Sequence, residues 1–166
     1  MIENGMTPDD ADAFLGDLCA EVAAFRQFID LLRAEQAVLA QMDVEPLLEL
    51  ARRKSEKVVT LTQLAERRRR FLSSRGLDPM LEAPVSWTPY LDAERAQVAA
   101  RHWREVLDLA RAARRINDAN GAMVQTKLRY NREALAVLQV ARGQLDLYGP
   151  DGRTAAAHFG RPLAKI

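Results

Sequence analysis

The stretch from Thr7 to Gln41, TPDDADAFLGDLCAEVAAFRQFIDLLRAEQAVLAQ, decides the fold. Thr7 reads as a helix N-cap and Pro8 as the first helical residue. Asp9 and Asp10 place their charge against the positive end of the helix dipole. Leu15, Leu18, Val22, Phe25, Ile29, Leu32, Gln36 and Leu39 then recur at alternating three- and four-residue spacing. That is a heptad seam with one polar layer, at Gln36. The spacing predicts a helix over about 8–41, on the order of 50 Å long at 1.5 Å per residue.

The same logic extends outward along the chain. Asp43-Val44-Glu45-Pro46 restarts the pattern, with Pro46 tolerable only in a first turn. Leu47, Ala51, Lys54, Val58, Leu61, Ala65, Arg68 and Leu72 then line one face of a second helix, about 44–75, which Gly76 stops. Lys54 and Arg68 are expected to lay their stems on the seam and reach water with their heads. The joint between these helices reads either as a tight turn or as a kink in one long helix. The turn is preferred, because only a turn lets the two seams meet within one chain.

Three prolines between Leu77 and Pro89 forbid a helix through that span, and Trp87 is its large apolar anchor. Thr88-Pro89 reads as the start of a third helix over about 89–142, on the order of 75 Å long. Ala99, Trp103, Val106, Ala110, Ala113, Asn117, Asn120, Val124, Leu128, Asn131, Leu135 and Leu138 share its apolar side. Gly121 is a point where it could bend, and Gly143 a stop. Residues 143–166 lose the periodicity and carry the turn signals Gly149-Pro150 and Asp151-Gly152. They read as a C-terminal tail, flexible or folding on binding. The expected architecture is therefore all-α: an elongated antiparallel bundle of three long coiled-coil-like helices (1–142) followed by that tail.

Composition narrows the function classes. Aromatics make up 6% of the 166 residues, so the core is thin for a chain rich in Ala and Leu. A net charge of +1 gives no global field toward nucleic acid or membrane. The one cysteine, Cys19, excludes an internal disulfide and is expected to be a small buried hydrophobe. No apolar window is long enough for a membrane span, and Met1–Gly5 has no signal-peptide character, so a cytoplasmic location is expected. His102 and His158 lack ligand-spaced companions, and no nucleophile elbow or phosphate loop is present. No catalytic residue, metal or cofactor is expected, and the chain reads as a binding device rather than an enzyme. The run Arg67–Arg70 invites a nucleic-acid reading, but four consecutive residues spread around a helix instead of forming one basic face.

Asn117, Asn120 and Asn131 lie in the apolar arc of the third helix. They read either as polar layers that fix register or as part of a mixed apolar and amide surface offered to a partner helix. Length favours an uncovered end, since helices of about 50 Å cannot cover one of about 75 Å. Such an exposed seam would close by pairing with a second copy or by accepting a client.

The motifs Asn117-x-x-Asn120-Gly121, Asn131-x-x-Ala134-Leu135-x-Val137-Leu138 and Leu147-Tyr148-Gly149-x-Asp151-Gly152-x-Thr154 follow one another in order, with His158 and Gly160 after them. Together they resemble the FlgN family of flagellar export chaperones. Leu48-Glu49-Leu50-Ala51-x-x-Lys54 and Trp103 are weaker echoes. The resemblance implies a cytoplasmic, non-enzymatic chaperone that protects hook–filament junction (hook-associated) proteins and delivers them to the flagellar type III export gate. It implies client binding by the C-terminal region and docking on the gate by the Leu147-Tyr148-Gly149 segment. On that basis Val124, Leu128, Leu135 and Leu138 are expected to bury client side chains, and Asn120 and Asn131 to satisfy amides. Free of client, the chain would be able to pair as a homodimer. The alternatives are a structural coiled-coil or adaptor protein with no client, and a helical nucleic-acid binder using Arg67–Arg70.

Overall fold

Helix ends in this chain follow from local chemistry. The computed structural model describes residues 6–41, 45–77 and 87–145, with side chains as far as Arg142. Thr7 caps α1 (Pro8–Gln41): its hydroxyl accepts a 3.2 Å hydrogen bond from the Asp10 backbone N–H. Pro46 sits at the N-cap of α2 (Leu47–Ser74), where its missing N–H leaves no helical bond unmade. Gly76 ends α2 with φ of 69°, a left-handed conformation that favours glycine. The Gly76 N–H bonds the Ser73 carbonyl and the Leu77 N–H bonds the Leu72 carbonyl, the paired closure of a Schellman cap. Leu72 and Leu77 both enter the core there.

α3 spans Ala93–Leu145. It does not begin at Thr88-Pro89. Those residues and Tyr90 form a separate 3₁₀ turn, and Leu91 then adopts an extended conformation. Asp92 is the actual cap: its carboxylate accepts a 2.9 Å bond from the Arg95 backbone N–H. At the other end α3 runs on through Gly143. No strand occurs among the described residues, so the fold is an all-α bundle of three helices. The chain divides into two units, Met1–Met123 and Val124–Ile166.

In the first unit, cross-helix ion pairs set the directions. Asp10–Arg75, Asp17–Arg67 and Glu35–Lys54 ascend α1 while descending α2, so the joint is a hairpin turn. Asp12–Arg95 and Arg26–Glu105 ascend α1 and α3 together. The main core joins Phe14, Leu18 and Val22 of α1 to Leu72, Trp87, Ala99, Trp103 and Val106. Phe14 stacks on Phe71 at 5.1 Å and meets Trp87 edge-on at 5.5 Å. A smaller cluster of Ile29, Leu32 and Ala113 follows along α1 and α3.

Expectations about burial also need correction. Phe14 is fully buried whereas Leu15 is only half-buried. Cys19 is exposed. Asn117 faces solvent, and Ile116 packs inward instead. The buried line of α2 runs through Leu50, Leu64 and Leu72, while Ala51 and Val58 are exposed. That last seam passes through cations whose heads meet α1 rather than water. Lys54 reaches Glu35 at 2.7 Å, Lys57 the Gln27 amide at 2.7 Å, and Arg68 Glu21 at 3.1 Å.

Candidate functional site

On an ideal helix, Val124, Leu128, Asn131, Leu135 and Leu138 fall within an arc of about 80°. All five are exposed in the second unit, Val124 least at 37% and Leu138 most among the apolar four at 65%. Their spacing of four, three, four and three residues is that of a coiled-coil seam. A soluble helix that leaves such a stripe in water has apolar area ready to bury against a partner.

Asn120 does not join them. It is 2% exposed, inside the first unit, and its Nδ2 donates to the Leu32 carbonyl and to Glu35 Oε2, each at 2.8 Å. Both neighbours are acceptors, so the amide nitrogen must be the atom facing them. Glu35 in turn holds Lys54, and the network ties together α1, α2 and α3. Asn120 therefore fixes how the helices register, and its nitrogen is already engaged within the chain. Leu147, Tyr148 and Gly149 lie outside the described residues.

Three further side chains are exposed on the reverse of the stripe: Tyr130, Val137 and Val140. The signal for the two valines lies in the sequence, since Ala134 through Ala141 contains no charged residue. A helix apolar on more than one side asks for cover on more than one side.

The arginine run is already engaged. Arg67 pairs with Asp17, Arg68 with Glu21, and Arg69 and Arg70 with Glu66, so the four-arginine run forms no basic stripe. The Arg68 guanidinium also lies 4.3 Å over the Trp103 ring. An open groove of about 750 Å³ between α1 and α2 is lined by Ala20, Ala23, Ala24 and Leu64, and its rim cations Lys57, Arg67 and Arg70 are the ones already engaged. Among the described residues no three His, Cys, Asp or Glu side chains gather as a metal site. No described helix is long and apolar enough to cross a membrane.

At the capped end, Arg95 bridges Asp92 and Asp12 with bonds of 2.6 to 3.1 Å. The Arg95 side chain holds the Asp12 carboxyl below its ordinary value. The Arg95 backbone N–H, then its guanidinium, do the same to Asp92. Asp10 is lowered first by the Thr7 hydroxyl and then by Arg75.

Residues 6–156 match the family model described as FlgN protein. A flagella synthesis protein FlgN from Yersinia enterocolitica is 34% identical over 111 residues, which cover 66% of this chain and 67% of the relative. Its counterpart from Proteus mirabilis is 27% identical over 125 residues, covering 74% of this chain and 77% of the relative. No solved structure matches the chain. With a family model spanning most of its length, the chain belongs to the FlgN family.

Proposed function

We infer that this chain is a cytoplasmic, non-enzymatic flagellar export chaperone. It binds hook–filament junction proteins on the distal face of α3 and hands them to the flagellar type III export gate. The observation that carries this reading is the solvent-exposed heptad stripe Val124, Leu128, Asn131, Leu135 and Leu138 in a member of the FlgN family. An amphipathic client helix laid along that stripe would bury its own apolar face, which is otherwise an aggregation hazard before assembly. Asn131, exposed in mid-stripe, is free to meet a client amide, whereas Asn120 acts behind it as a register lock.

Leu147, Tyr148 and Gly149 serve as a separate gate anchor in this reading. An aromatic at such a point supplies large contact area at low rotamer cost. A client-bound stripe and a free tyrosine would let one chain hold cargo and target together. A structural rod without a client would have no use for the exposed stripe.

The test separates the two parts. Purified chain is titrated with a hook–filament junction protein and, independently, with the soluble domain of an export-gate component. Binding of the junction protein by the wild type and by Tyr148→Ala, with gate affinity lost only in Tyr148→Ala, supports the division. No binding of any junction protein by the intact chain refutes the chaperone reading.

A further inference from the structure

We propose that the distal α3 stripe selects an acidic amphipathic helix: a partner segment whose apolar seam is bordered by glutamate or aspartate. The inference rests on the docking surface described under Proposed function and adds the partner's chemistry.

Between Val124 and Arg142 the helix carries Lys127, Arg129, Arg132 and Arg142 against a single acid, Glu133. The placement of these charges matters more than their sum. Arg129 and Glu133 project on the reverse side of the helix and face each other at 4.0 Å. Two of the other three cations border the stripe and the third continues it. On an ideal helix Lys127 lies about 20° beyond one edge and Arg132 about 40° beyond the other, while Arg142, the next seam position after Leu138, is in line with the stripe. None of these three makes a hydrogen bond or ion pair among the described residues. In the first unit the interhelical cations find acids: Lys54 has Glu35, Arg68 has Glu21, Arg75 has Asp10 and Arg95 has Asp12. The distal helix thus repeats the flanking-cation design of this bundle with the acidic half missing. Residues flanking a helical seam set partner choice by charge, and an acidic partner supplies the missing half.

The same charges argue against other occupants. A second copy would bring Lys127, Arg132 and Arg142 against their own kind, which is destabilising across a helical seam. Residues 146–166 offer Asp146 and Asp151 but also Arg153, Arg161 and Lys165, so they do not complement the face. An anionic membrane surface favours a broad apolar face with cations gathered on the opposite side. Here Asn131 interrupts the stripe, Lys127 and Arg132 border it instead of opposing it, and the apolar residues Tyr130, Val137 and Val140 share the reverse side with the Arg129–Glu133 pair, so no single broad apolar face forms.

The experiment uses the full chain and two synthetic amphipathic helices with one leucine seam, flanked either by Glu or by Lys. Calorimetry should show the Glu-flanked peptide binding roughly tenfold more tightly at low salt, with the preference shrinking at high salt. The variant Lys127→Glu/Arg132→Glu/Arg142→Glu, at one half-buried and two exposed positions and checked for unchanged helicity and Tm, should reverse the preference. Equal affinity for the two peptides overturns the proposal. So does an unchanged preference in the variant, a wild-type homodimer through this face, or tighter binding to phosphatidylglycerol vesicles than to the Glu-flanked peptide. Failure of the docking surface itself reads differently. If Leu128→Ser/Leu135→Ser leaves binding of a junction protein intact, the surface is wrong. If that variant abolishes binding and the charge reversal has no effect, the surface stands and the charge selection falls.

Discussion

Replacing Asn120 with alanine should destabilise the bundle without touching client binding. The side chain is buried and its nitrogen makes two 2.8 Å bonds, one to the Leu32 carbonyl and one to the Glu35 carboxylate. A neutral hydrogen bond contributes about 1 kcal/mol net and one to a charged group about 1.5–3. Against this, Asn120 Oδ1 is buried without a partner among the described residues, and its removal returns part of a desolvation penalty of about 1–3 kcal/mol. The net expectation is a loss of about 1–3 kcal/mol, or a fall in Tm of about 3–9 °C for a chain of this size. Asn120→Asp should be worse than alanine, because it sets a second carboxylate beside Glu35 in a half-buried site. Thermal unfolding followed by circular dichroism measures the first effect and calorimetry with a junction protein the second. A stable Asn120→Ala protein that no longer binds client would refute the assignment and return Asn120 to the docking surface.

Phe14→Ala removes the ring between Phe71 and Trp87 and should cost about 3–5 kcal/mol in urea unfolding. Arg68→Met leaves the buried Glu21 carboxylate without its 3.1 Å partner, an expected loss of about 3–5 kcal/mol that Arg68→Met/Glu21→Leu should largely restore. Stability should also fall in acid. Asp10, Asp12 and Asp92 titrate below the ordinary 3.8 in the fold, so their contribution is present above that value and is lost as pH falls through the lowered ones. A Tm series from about pH 5 to pH 2 should therefore decline less steeply in Asp12→Asn/Asp92→Asn than in the wild type.

The parts of this fold that a sequence displays openly are those set by local chemistry. The Thr7-Pro8 cap, the Gly76 stop and most of the α1 seam follow from residue type and spacing alone. Thr88-Pro89 misled because it carries the same cap signal as Thr7-Pro8. Asp92, four residues on, wins because its carboxylate reaches the Arg95 N–H while Arg95 also grips Asp12 on α1, a partner far away in sequence. The α2 face was hidden for a related reason. Spacing alone puts Lys54 and Arg68 on the seam, but it cannot reveal that their heads end on Glu35 and Glu21, or that Lys57 reaches Gln27, until α1 is seen opposite them.

The candidate surface divides in the same way. Val124, Leu128, Asn131, Leu135 and Leu138 share a stripe because helical spacing dictates it. Asn120 continues that spacing, yet it points at Leu32 and Glu35. Whether an asparagine on a seam locks a bundle or greets a partner depends on what stands across from it. Tyr130 is exposed off the stripe, on a side that periodicity reads as solvated, so spacing does not mark it.

The most direct test of the account is calorimetric titration of a hook–filament junction protein into the wild type and into Leu128→Ser/Leu135→Ser. Both leucines are exposed, so the substitutions should leave the helical signal and Tm unchanged. Burying a leucine is worth about 1.5–3 kcal/mol, so losing two from the interface should weaken binding by about a hundredfold or more. A hundredfold loss with the fold intact is the predicted result. Wild-type affinity in the double variant would contradict the claim that the distal face of α3 holds the client.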